Sequence, residues 1–101
     1  MKKFNVVVLQ LSKDDIREAR QWYNKQQIGL GKRLNQDMTA TLRKIAANPT
    51  SFSVRYKQVR LAHFDTFPYA AHFYIDDIND TVYITAILHN RRHPDATNDR
   101  F

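Results

Sequence analysis

The sequence predicts an α+β fold in which an antiparallel pair of helices packs on one face of a mainly antiparallel sheet. Apolar residues alternate with a period of two at the start of the chain and again from residue 52 to residue 88. Between them they recur at helical spacing, and both glycines, Gly29 and Gly31, fall in the middle of that helical stretch.

Residues 4–11 are apolar and β-branched on both alternating sets, with Phe4, Val6 and Val8 on one and Val7, Leu9 and Leu11 on the other. That pattern predicts a strand covered on both faces over part of its length. Ser12 is a suitable helix N-cap, and Asp15 three residues on makes an acidic variant of the capping box. Asp14, Asp15 and Glu18 would then complement the dipole of the first turns. Ile16, Ala19, Trp22 and Tyr23 recur at helical spacing, so the first helix runs to about Gln26, where the glycines break it. Leu34, Met38, Leu42 and Ile45 form the stripe of a second helix, which Asn48 and Pro49 end because a residue before proline is pushed out of helical geometry. A connection this short makes the two helices antiparallel neighbours.

Beyond Pro49 the chain reads as three or four strands. Phe52, Val54 and Tyr56 alternate with polar residues, and Val59, Leu61 and His63 continue the alternation. A turn at Asp65 and Thr66 follows. Phe67, Tyr69, Ala71, Phe73 and Ile75 share one strand face, with Pro68 suited to a strand end. After the turn at residues 76–80, Val82, Ile84, Ala86 and Leu88 alternate in a last strand. Helices of about 22 Å match strands of about 23 Å, so the pair can lie across one sheet face and leave the other open. The open face, or a groove beside it, is where function is expected.

The 101 residues suffice for one domain, with residues 95–101 expected as a flexible tail. No cysteine is present, which excludes disulfides and thiolate metal sites. The apolar stretch 6–9 is too short for a signal peptide core or a membrane span, so no membrane association is implied and a cytoplasmic location is expected. Sixteen Lys and Arg against ten Asp and Glu give a formal charge of +6, which favours anionic partners. No acidic residue occurs between Asp37 and Asp65, an interval that holds Arg43, Lys44, Arg55, Lys57 and Arg60.

The chain resembles the RelE/ParE superfamily of toxins, often labelled plasmid stabilisation proteins. The resemblance spans residues 6–94. Its marks are the hairpin at Gly29, Leu30 and Gly31, the helix end at Ile45, Ala46, Ala47, Asn48 and Pro49, and then Val59, Arg60 and Leu61. Phe67, Pro68 and Tyr69 follow, and last comes the strand to Leu88 with His89, Asn90, Arg91, Arg92, His93 and Pro94. Each mark alone is weak; their order and spacing are specific. The resemblance implies a βααβββ fold and a toxin of a type II toxin–antitoxin module, neutralised by a cognate antitoxin whose C-terminal segment wraps it in a hetero-oligomer. Many relatives carry an acidic residue and then an aromatic past the Arg-x-Pro element, whereas this chain has no aromatic there before Phe101.

Two activities are implied within the superfamily, and a third reading is an inactive remnant that still binds antitoxin. RelE-like members cut mRNA in the ribosomal A site. A metal-free ribonuclease must activate a 2′-hydroxyl, stabilise a charged phosphorane and protonate the leaving oxygen. Arg60, His89 and Arg91 are the candidates for that chemistry, provided their strands are neighbours. No glutamate–histidine pair is expected, because Glu18, the only glutamate, opens the first helix. ParE-like members poison DNA gyrase, which requires a shaped basic surface and no catalytic constellation. The element at residues 89–94 and the run Phe67, Pro68, Tyr69 resemble the ParE branch more closely and favour it.

For either target, gyrase or the ribosome with its mRNA, the candidate binding residues are Arg55, Lys57, Arg60, Arg91 and Arg92. Arg55 and Lys57 share a phase in a regular strand and Arg60 does not, unless a bulge near Gln58 intervenes. His63 and His72 are read as ordinary strand residues facing solvent or a partner. Arg20 and Trp22 on the first helix and Arg33 on the second are the candidate antitoxin contacts, with only one of Trp22 and Tyr23 able to point fully inward. A metal site is not expected, since His89 and His93 lie in a proline-containing loop without a helical face, and no cofactor is implied.

Overall fold

A computed structural model of the chain describes residues 3–91. Arg92, His93 and the tail expected from residue 95 lie outside the described residues. The elements are β1 (Asn5–Val8), α1 (Gln10–Gln26), α2 (Leu30–Ala47), a 3-10 turn (Pro49–Ser51), β2 (Val54–Tyr56), β3 (Val59–His63), β4 (Tyr69–Asp76) and β5 (Thr81–His89). The strands form one sheet in the order β1-β5-β4-β3-β2. β1 runs parallel to β5, and the other three pairings are antiparallel. The helices pack Ile16, Ala19, Leu34 and Ile45 onto Ala62, Phe64, Ala71, Phe73, Val82, Ile84 and Ile87. The predicted α+β layering is therefore present, with no helix of the described residues on the opposite sheet face.

The hairpin between the helices needs both glycines for different reasons. Gly29 has φ of 96°, which L side chains rarely adopt. Gly31 lies so close to α1 that an added Cβ would sit 2.8 Å from the carbonyl oxygen of Arg20, while its N–H donates to Asn24 Oδ1 at 2.9 Å.

The first strand and the first cap differ from expectation. β1 is four residues long at the edge of the sheet, Val7 is exposed, and Leu11 lies on α1 facing solvent. The helix begins earlier because the amides of Ser12 and Lys13 turn back onto the carbonyl of Leu9, which is the extended N-cap residue and makes no side-chain cap. The first turn therefore holds no acidic residue. Ser12, fully buried, donates its hydroxyl to the carbonyl of Ile84 at 2.8 Å, and the Asp15 carboxylate accepts the N–H of Ile87 at 3.0 Å. Two residues of cap type thus fasten α1 to β5. The reason lies in β5: its partner β1 reaches only Ile84, so the strand edge beyond is left for α1.

Two bulges reset which residues share a face. In β5 the register steps from Phe73↔Ile84 to His72↔Ala86, making Thr85 an extra residue. Val82, Ile84 and Ile87 consequently join the helix-side core, while Ala86 and Leu88 fall on the open face; the unbroken alternation expected for 82–88 is corrected. In β2 the register steps from Val54↔Arg60 to Tyr56↔Val59, making Arg55 the extra residue. The alternation from Phe52 to His63 is thus a hairpin and not one strand, turning at Lys57 and Gln58, with Lys57 at φ of 49°.

The turn at Asp65 and Thr66 is held from outside. Asp37, buried on α2, accepts the backbone N–H groups of Asp65, Thr66 and Phe67 at 3.3, 3.0 and 2.8 Å. A carboxylate taken out of water is tolerable when donors replace its hydration in this way.

Candidate functional site

The open sheet face carries a groove of about 290 Å³ whose floor is Leu61, Ala70 and Leu88 and whose polar lining is Arg55, His63, His72, His89 and Asn90. The bulge at Arg55 pairs Tyr56 with Val59 and so sets Tyr56 on the same sheet face as Arg55, whereas a regular strand would put these two neighbours on opposite faces. Register brings the rest together: Leu61 pairs with His72, His63 with Ala70, and Ala70 with Leu88. His72 is 3% exposed, and its Nδ1 lies 2.8 Å from the Tyr56 hydroxyl, so it is a buried member of the floor, where a strand residue facing solvent or a partner was expected. His63 Nδ1 is 3.1 Å from Asn90 Oδ1; an amide oxygen only accepts, so Nδ1 carries the proton. No carboxylate lines this groove among the described residues. Donors without an acid suit the binding of an anionic group.

The basic residues proposed for target contact do not gather there. Arg60 pairs in register with Phe73, on the helix side, and its Nη1 donates to the carbonyl of Phe52 at 2.6 Å. Lys57 and Arg60 border a different hollow with Val54, Ile75 and Asp77. The shared phase of Arg55 and Lys57 is therefore corrected: the bulge and the turn send them to opposite sides of the sheet. Arg91 is exposed, and its N–H donates to His89 Nδ1 at 3.1 Å, which leaves the proton of a neutral His89 on Nε2. Arg92 is outside the described residues.

His89 itself pairs with Tyr69, and their rings meet edge to face at 5.3 Å. It reaches a second cavity, of about 190 Å³, between α1 and the end of β5, lined also by Asp15, Glu18, Trp22 and Tyr69. α1 lies along β5 and sets Glu18 in the same cavity as His89, without a hydrogen bond between the two. Nothing in the sequence signalled this, as the two are far apart in the chain. Tyr69 has its phenol pKa raised, first by burial and then by the neighbouring Tyr23. Its hydroxyl therefore stays neutral at physiological pH.

Of the antitoxin candidates, Trp22 is 56% exposed and leans its ring on the half-buried Tyr23, which takes the inward position and packs on Phe67. Arg20 is half-buried and donates to Asn35 Oδ1 at 3.0 Å, bridging the helices, and Arg33 is exposed on α2. Among the described residues no group of His, Asp or Glu could hold a metal ion, and no helix is long and apolar enough to cross a membrane.

Residues 6–94 match the family model described as "ParE toxin of type II toxin-antitoxin system, parDE". No curated protein sequence matches the chain. Among solved structures, a chain of the chromosomal ParDE toxin–antitoxin system from P. aeruginosa superposes with a TM-score of 0.75 at 12% identity, covering 86% of this chain and 96% of that one. A chain of the toxin–antitoxin complex RelBE2 from Mycobacterium tuberculosis gives 0.63 at 15% identity, covering 86% and 98%. At these identities the two structures speak for the fold.

Proposed function

The chain belongs to the ParE toxins of type II toxin–antitoxin systems, and on that premise we propose that it arrests growth by binding DNA gyrase, and that a cognate antitoxin holds it inactive in the cytoplasm. The observation that carries the choice of target is the dispersal of the residues a ribonuclease would need. Arg60 is aligned with Phe73 and His89 with Tyr69, four positions apart along β4, or about 13 Å. Arg60 is moreover committed to the carbonyl of Phe52. General acid–base catalysis needs its groups within hydrogen-bond reach of one substrate, and this separation speaks against that. A binding toxin needs only a complementary surface, and the groove around Arg55, His63 and His72 supplies one that is rich in donors, with no acid among its described lining residues.

Two assays run side by side test this. The purified chain is expected to block gyrase supercoiling or trap gyrase–DNA complexes, while primer extension on a reporter mRNA in expressing cells shows no new 5′ ends. Ribosome-dependent cuts lost in His89→Ala would replace this reading with the RelE-like endonuclease. Normal growth with both assays blank would leave an antitoxin-binding remnant.

A further inference from the structure

The cavity between α1 and the end of β5 has a chemistry opposite to that of the rest of the chain. The protein carries a formal +6, yet this cavity is lined by the carboxylates of Asp15 and Glu18 together with the rings of Trp22, Tyr69 and His89. Asp15, Glu18, Ala19 and Trp22 follow one another at helical spacing on one side of α1, and the bonds from Ser12 and Asp15 to β5 fix that side against Ile87, Leu88 and His89. Ala19 is the small residue of the set and leaves the space. Glu18 makes no hydrogen bond or ion pair with another described residue. Trp22 is more than half exposed beside it, although its sequence spacing is that of a core residue.

We infer that this cavity receives an arginine side chain of the antitoxin, its guanidinium stacked on Trp22 and hydrogen-bonded to Glu18 and Asp15. The inference rests on the antitoxin reading above. Aromatic rings beside carboxylates suit a planar cation, which is attracted to a ring face and offers a fork of N–H donors. Lysine fits less well, because its compact ammonium is strongly hydrated and cannot stack. An anion would be repelled by the two carboxylates, and an apolar side chain would offer Glu18 no donor. Tyr69 adds no charge of its own, so among the described lining residues the negative charge is that of Asp15 and Glu18. The donor-rich groove and this acidic cavity sit on either side of His89, so the two surfaces would discriminate by charge between what each accepts.

Trp22 is the sole tryptophan, so its fluorescence reports on this cavity directly. The probe is N-acetyl-arginine N-methylamide, titrated into the purified full-length chain, with the neutral citrulline analogue as control. A saturable emission change is expected, with half-saturation on the order of millimolar, as suits one side chain without its protein. The lysine analogue should bind more weakly. Glu18→Gln should weaken arginine binding about two- to fivefold with an unchanged melting temperature, since Glu18 is exposed. An equal response to citrulline, or no effect of Glu18→Gln, overturns the site. Binding that strengthens about tenfold in an Arg92→Gln, Arg100→Gln double variant would mean that the chain's own arginines compete for the cavity, and would overturn its assignment to a partner. In the toxin–antitoxin complex the probe should no longer bind; a complex that still binds it refutes the antitoxin as the source. None of these readouts depends on whether gyrase is the target, which the supercoiling assay decides separately.

Discussion

Replacing Asp37 by alanine should cost this protein a large share of its stability, although the residue touches no proposed target. Its carboxylate accepts three successive backbone N–H groups, from Asp65, Thr66 and Phe67, and so fixes the connection between β3 and β4 onto α2. Hydrogen bonds to a charged group contribute about 1.5–3 kcal/mol each when nothing replaces them. Asp65 and Thr66 are exposed, so water can satisfy their amides once the carboxylate is gone; Phe67 is half-buried, and its amide is the one left unpaired. Phe67 also packs on Tyr23, and the loop leads directly into Tyr69. The expected loss is therefore about 2–4 kcal/mol, below the sum of three separate bonds. For a chain of this length each kcal/mol lowers the melting temperature by about 4–8 °C, so Asp37→Ala should melt roughly 10–25 °C lower. Asp37→Asn retains one carbonyl oxygen as an acceptor and should lose about half as much. Circular dichroism melts with urea titrations would show it. A loss below about 1 kcal/mol for Asp37→Ala would refute the claim that this carboxylate holds the loop.

Gly31→Ala should destabilise by about 1–3 kcal/mol, the usual cost of overpacking, because the added Cβ meets the Arg20 carbonyl and Asn24 where α2 passes α1; a melting temperature equal to the parent's would mean the helices can part freely. Arg60→Met should lower stability by about 1 kcal/mol through loss of the bond to Phe52 while leaving gyrase inhibition intact, whereas Arg55→Ala should weaken inhibition and leave the melt unchanged; the reverse pattern would put the target surface on the helix side. The raised phenol pKa of Tyr69 implies a stability term that is fully present below about pH 10, the ordinary tyrosine value, and is lost as pH rises above it, since the unfolded chain gives up that proton first. Tyr69→Phe should therefore flatten the alkaline limb of a stability–pH profile, and an unchanged limb would assign that loss to other groups.

How far these features were legible depends on the distance over which they are determined. The two helices, the break at Gly29 and Gly31, the end at Asn48 and Pro49 and the inward face of β4 all follow from local pattern, because helix and strand periods and the freedom of glycine act over a few residues. The resemblance carried the family, while the match of helix and strand lengths carried the expectation of an open sheet face. Charge and residue type alone also marked Arg55, His89 and Trp22 as candidates. Ser12 and Asp15 were misread for a physical reason: a serine or aspartate near a helix start suits a cap equally well whether or not a strand edge waits nearby, and only the position of β5 decides which donor or acceptor it meets.

The sequence by itself determined the elements, their order and the side of each helix that seeks cover. Tertiary structure decided the placement of β1 beside β5, the bulges at Arg55 and Thr85, the burial of Asp37 and His72, and the meeting of Glu18 with His89. A bulge shifts every later residue of its strand to the other face, so one inserted position divides a continuous basic stretch between two surfaces. Period-two reading carries no trace of such a step, because the step is set by which backbone groups the neighbouring strand and helix leave to be paired.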